Sequence, residues 1–330
     1  MRTSTSTDRT RPAASPEPAS REGRRATQQQ RLAAEVNRQR RRRVQRGGAA
    51  AIVAVAVAVA GYTLFATGSS ASARPSIGGD LHSLVVDPAN AERVLVGGHE
   101  SGAISTDGGR TWQEVSGLKG ADPMGWAVDP RDPLKMYVAG HPGFYRSEDG
   151  GKSWRQDNTG LPSTDVHGMG IDPADPNVLY AYFTGRGVYR SPDTGRTWQA
   201  VNTQVNIMGP VLADPRRSGT LYIAEMQGGF QRSEDGGKSW RPLGAIAGGM
   251  AMWVAQDQQA PDTFYAANGR VMKSTDGGTT WQPTGSVPGN VSAVAVSPSS
   301  PSILYAGVLD GTRARIFRSD DGGQSWQARN

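Results

Sequence analysis

The sequence predicts an all-β chain: a six-bladed β-propeller, preceded by a disordered basic tail and one transmembrane helix. Three observations carry that expectation. The phrase SEDGGKSW stands at 147–154 and again at 233–240, with looser copies at 105–112, 191–198, 274–281 and 319–326. The tryptophans closing these copies (Trp112, Trp154, Trp198, Trp240, Trp281 and Trp326) are 41 to 45 residues apart, the length of one four-stranded blade. The composition, with 43 glycines and 21 prolines, suits many short strands joined by tight turns.

Residues 1–47 hold thirteen arginines and no lysine against Asp8, Glu17, Glu22 and Glu35. Rich in Ser, Thr, Pro and Gln as well, this tail is expected to be disordered and cytoplasmic. Subtracting it from totals of 36 basic and 30 acidic residues leaves 23 against 26, so the remainder is mildly acidic. The net charge of +6 belongs to the tail, and the folded domain is not expected to bind nucleic acid.

The basic run RQRRRRVQR (38–46) abuts AAAIVAVAVAVAGYTLFA (49–66), eighteen residues without a charge. At about 1.5 Å per residue this stretch just crosses a hydrocarbon core, and the arginines before it hold the N-terminus in the cytoplasm. Residues 48–67 are therefore expected to form a single-pass anchor in the cell membrane, 68–79 a linker, and 80–330 an extracytoplasmic propeller. The alternative is a signal peptide cleaved near Ala73, after the small residues Ala71, Ser72 and Ala73. Either way the propeller lies outside. The chain has no cysteine, which excludes disulfides and thiolate metal sites.

Within each repeat four strands follow from alternating apolar residues and Gly, Pro and Asp turns. Strand A is the apolar run before an Asp-Pro turn, as in HSLVVDP (82–88) and HGMGIDP (167–173). Strand B follows, as in RVLVGG (93–98), KMYVAG (135–140), TLYIAE (220–225) and ILYAGV (303–308). Strand C runs into the repeated phrase, and strand D begins at its Trp. The way the ring closes is left open between residues 76–79 joining a terminal blade and blade six packing on blade one.

The repeated phrase reads S-x-D-x-G-x-[ST]-W. Its aspartates, Asp107, Asp149, Asp193, Asp235, Asp276 and Asp321, can accept backbone N–H bonds across a tight turn. The second glycine recurs in every copy whereas the first is Thr194 in the third, so the second position is expected to need positive φ. A calcium or sugar site in each box is the rival assignment. By these residues the chain resembles the Asp-box (BNR) β-propellers of the sialidase superfamily, among them exported bacterial proteins labelled glycosyl hydrolase. The resemblance covers roughly 76–330 and implies a glycosidase.

Antiparallel order places the start of strand A and the end of strand B at one mouth of the ring, with the A–B turns and the Asp-boxes at the other. The A-start column reads His82, Met124, His167, Met208, Met250 and Ser292; the B-end column reads His99, His141, Thr184, Met226, Gly269 and Leu309. All four histidines fall in these slots. Two residues before the A-start column stand Asp80, Asp122, Asp165, Asn206, Gly248 and Asn290. Blades one to three thus repeat D-x-H or D-x-M at one mouth.

Three function classes remain open. In the first, His82, His99, His141 and His167, with Met124 nearby, hold a small ligand or a metal ion. Imidazole suits copper or zinc, thioether adds a preference for Cu(I), and copper is favoured; the aspartates would orient the imidazoles. In the second, implied by the resemblance, a glycoside hydrolase uses two carboxylates from among Asp80, Asp122, Asp165 and Glu225. Against sialidase activity, neither column contains an arginine, and the FRIP segment that opens many sialidase domains is missing. In the third, the propeller is an assembly platform for a membrane-associated protein.

Overall fold

The computed structural model describes residues 71–227, 229–310 and 313–329. The tail at 1–47 and the span at 48–67 lie outside the described residues. Among the described residues no helix is long and apolar enough to cross a membrane.

Each repeat folds into one four-stranded antiparallel sheet, and six such sheets succeed one another with strand order A-B-C-D. The A strands are Leu81–Val86, Asp122–Val128, Val166–Ile171, Leu212–Ala213, Trp253–Gln256 and Asn290–Val296. Strand D begins one residue after each Trp rather than at it, as in Gln113–Glu114 and Arg155–Gln156. The indole is thereby left between blades. Trp112 packs among side chains of the sixth blade such as Ile316 and Phe317, and Trp154 against Trp126 and Val138 beside Leu95 of blade one. The core consists of such layers between neighbouring sheets, and Trp112, Tyr180, Tyr265, Tyr305 and Phe230 are almost wholly buried in them.

The box is a self-contained hydrogen-bond unit. In all six copies the Ser hydroxyl donates to the first carboxylate oxygen of the Asp at 2.7–2.8 Å. The same hydroxyl accepts the N–H of the second glycine at 2.8–2.9 Å. The second carboxylate oxygen accepts the hydroxyl of the Ser or Thr before the Trp at 2.5–2.7 Å. With both oxygens engaged by neighbours of the same turn, the carboxylate acts as a turn-builder. Both glycine positions are left-handed, not the second alone: Gly108 and Gly109 have φ of 72° and 85°, and Thr194 adopts 59°. The second position is nonetheless the stricter one, because a Cβ on Gly278 would meet the Phe230 ring at 2.3 Å.

The N–H of the first glycine position donates to the A–B turn of its own blade, as from Gly108 to the Glu92 carbonyl and from Gly150 to that of Leu134. The boxes therefore share a face with the A–B turns. There Asp87, Asp129, Asp172, Asp214 and Asp257 are buried and cap their turns, each accepting the N–H two residues on at 2.8–2.9 Å.

The ring closes without strand exchange. Blade six packs directly on blade one, Leu81 lying among Val291, Ala293 and Val308. Across the seam the Tyr305 hydroxyl donates to the Ala91 carbonyl at 2.8 Å, and Arg318 pairs with Glu92 at 2.6 Å. The segment expected as a linker is partly built into blade one: Ser72 exchanges backbone bonds of 2.8 and 2.9 Å with Trp112, and Ile77 is buried.

Candidate functional site

Two cavities open at the ends of the channel. The one on the turn face, about 360 Å³, is lined by apolar residues such as Leu84, Val128, Ile171 and Val296. The one at the opposite mouth, about 750 Å³, is lined by the chain's chemistry-bearing side chains. All six residues of the A-start column reach it, as do His99, His141, Gly269 and Leu309 of the B-end column, together with Asp80, Asp122 and Asn290. Asp165, Thr184, Met226 and Glu225 do not line it. The Glu225 carboxylate accepts the backbone N–H groups of Asn206 and Gln227.

The A-start column is set by a repeated irregularity. Pairing between strands A and B slips around His82, Met124, His167 and Ser292, each the extra residue of a β-bulge. A bulge re-aims the side chain it carries, here at the mouth. Beneath it the first two blades are locked together. The buried Ser83 hydroxyl donates to the Pro123 carbonyl at 2.6 Å and accepts the Trp126 indole N–H at 2.8 Å. Close approach of the A strands is permitted by glycine: a Cβ on Gly170 would stand 1.8 Å from the Val211 carbonyl oxygen.

Asp122 is the hub of the polar half. It opens its strand directly opposite His141 in the ladder and is 7 % exposed. One carboxylate oxygen lies 2.9 Å from His82 Nδ1. These two buried atoms are not aligned for a hydrogen bond and have no other partner among the described residues. The other oxygen faces His141 Nδ1 at 3.3 Å and His99 Nδ1 at 3.4 Å. Asp80 meets His99 Nε2 at 3.3 Å. Asp165 meets His141 Nε2 at 2.8 Å and His167 Nε2 at 3.0 Å, and accepts the Thr184 hydroxyl at 2.8 Å.

These contacts set the charge states. Burial alone would raise the Asp122 carboxyl, but the three imidazoles outweigh it and hold it below the usual carboxylate value. Asp165 follows the same pattern, with burial opposed by His141, Thr184 and His167. Burial would lower the His141 imidazole, yet its bonds to Asp165 and Asp122 keep it above the ordinary value. His167 goes the other way: burial, aided by the neighbouring His141 charge, prevails over the pull of Asp165.

The four imidazoles do not form one cluster. They divide into two triads, Asp80 with His82 and His99, and Asp165 with His141 and His167; within each, the possible ligand atoms lie within 4.8 Å of one another. Each triad offers two imidazoles and one carboxylate. The imidazole rings of the first pair are 4.3 Å apart and of the second 5.5 Å. Met124, 6 % exposed, lies on the wall nearby.

The far wall is thioether. Met208, Met250 and Met252 line it, the last two notably exposed. Met252 was missed by the column, although it stands five residues before Asp257 as His82 stands five before Asp87; that count could have found it. Asn268 was missed as well, and its position in the B–C turn carries no pattern across blades.

Comparison with known proteins places this architecture. Residues 142–270 match the family model described as sortilin, neurotensin receptor 3, and residues 103–114 and 317–328 match that of the BNR/Asp-box repeat. No curated protein matches the chain. Among solved structures, a GH74 xyloglucanase from Xanthomonas campestris is 20 % identical over 79 % of this chain and 47 % of its own, with a TM-score of 0.56. A GH74 enzyme from Niastella koreensis is 16 % identical over 78 % and 46 %, at 0.57. A gluconolactonase from Xanthomonas campestris is 14 % identical over 75 % and 88 %, at 0.56. This chain thus spans about half the length of the GH74 enzymes, and at these identities the likeness is one of fold. The chain is a six-bladed β-propeller carrying BNR/Asp-box repeats.

Proposed function

We propose that the mouth of blades one to three binds a transition-metal ion, with copper favoured and zinc the nearest alternative. The observation that supports this most is the gathering of every imidazole of the chain on one cavity with Asp80 and Asp122, and with Asp165 against two of the imidazoles. Bonds of about 2 Å from nitrogen or oxygen to metal put tetrahedral donors roughly 3–3.5 Å apart. Within each triad the possible ligand atoms lie within 4.8 Å of one another, close to that spacing. Asp122, buried and ionised, orients His82, His99 and His141 as a carboxylate behind a metal-bound imidazole does. The thioethers across the cavity give the softer donors that Cu(I) prefers.

The glycosidase reading has the fold in its favour and the carboxylates against it. A general acid for glycosidic cleavage needs a raised carboxyl pKa, whereas Asp122 and Asp165 are both held down by imidazoles. Among the described residues no arginine lines the cavity. The proposal includes placement: residues 48–67 anchor the chain with the propeller outside the membrane, where a cysteine-free His/Met site suits copper handling.

Metal content tests it. Full-length protein dialysed against Cu(II) or Zn(II), then against buffer, is expected to retain metal, and His82→Ala/His167→Ala is expected to lose it. No retention by the wild type above that double variant would remove the proposal.

A further inference from the structure

Resting on the metal reading above, we infer that the mouth is a two-ion site, one ion in each triad, with the Asp122 carboxylate standing between the two sets of imidazoles. The geometry leaves no place for a single shared ion. Among the described residues the donor sets that fall within 4.8 Å are the two triads, and neither includes an imidazole of the other. The first triad belongs wholly to blade one, the second to blades two and three, so merging them would require the blades to shift. Each triad is complete in itself, with two imidazoles and its own carboxylate, the donor set that first-row divalent ions take while keeping positions open.

Asp122 belongs to neither triad and touches both. One oxygen faces His82 of the first; the other faces His99 of the first and His141 of the second. It is nine-tenths buried, and one of its oxygens, like the His82 nitrogen beside it, lacks an aligned hydrogen-bond donor. His99 and His141 turn Nδ1 toward Asp122 and Nε2 toward Asp80 and Asp165, so the ion of each triad would lie on the Nε2 side while Asp122 holds imidazoles of both triads from behind. Charge points the same way. Three carboxylates among neutral imidazoles overmatch one divalent ion by a unit, and a second ion reverses that small imbalance without leaving a large one.

The chain suits a stoichiometric test, because its four histidines all lie in this site and it has no cysteine. Tag-free full-length protein, dialysed to equilibrium with Cu(II), is expected to bind two ions per chain. His141→Ala/His167→Ala and His82→Ala/His99→Ala are each expected to bind one. One ion in the wild type would overturn the two-ion site while leaving the metal reading in place. None would overturn both. The wild-type count decides the matter even if a variant fails to fold.

Discussion

Asp122 meets three imidazoles because its strand begins opposite His141, while bulges and a B–C turn bring His82 and His99 to the same end. The D-x-H spacing was enough to place these residues at one mouth, since side chains two apart on a strand share a face. Which nitrogen meets which oxygen was not legible, because it depends on side-chain torsions that the residue pattern does not encode. The split into two triads follows from those torsions. The box aspartates were fully legible, their Ser and Thr partners lying at fixed offsets. They also carry a prediction. Asp235 and Asp276 are held at about 2, chiefly by the hydroxyls of Ser239 and Thr280, and Asp107, Asp149, Asp193 and Asp321 are likewise lowered. A carboxylate depressed in the folded state adds stability that is complete above its unfolded value near 3.9 and lost as pH falls through its folded one. The thermal midpoint should therefore be flat with respect to the boxes from pH 7 to 5 and drop between pH 4 and 2. A midpoint unchanged over the acid range would contradict the lowering of the box carboxylates on folding.

At the scale of elements, strands A and B were readable from Asp-Pro turns and apolar runs, while the bulges were not. A bulge leaves the hydrophobic alternation nearly intact and shows only as one residue out of step. Blade five illustrates the limit: its strand A begins at Trp253, and an extra Met before it made Met250 stand in the column where Met252 keeps the count. The glycines of strand A have a different reason. Gly168 and Gly170 lie against the backbone of the next blade, with the Gly209 and Val211 carbonyls 2.2 and 1.8 Å from where a Cβ would be. Backbone cannot yield as a side chain does. Gly170→Ala should cost about 1–3 kcal/mol or more through overpacking, lowering the denaturant midpoint with little change in slope. Wild-type stability in this variant would mean that the blades are looser than the contact implies.

For the whole molecule, six repeats at a constant interval announced six blades, since each sheet needs a neighbour on both faces to bury its apolar sides. The closure was hidden because it is made by contacts between the two ends of the propeller. Arg318 with Glu92, and Tyr305 with the Ala91 carbonyl, are separated by more than two hundred residues and belong to no repeat. The same ring geometry gives the molecule two unlike ends, a face of turns and boxes and a mouth of histidines, aspartates and methionines. Whether this mouth holds metal is decided by crystals of the protein equilibrated with copper and measured at the copper absorption edge. Anomalous density is expected about 2 Å from imidazole nitrogens of both triads. Density confined to other surfaces, or absent, would contradict the metal reading.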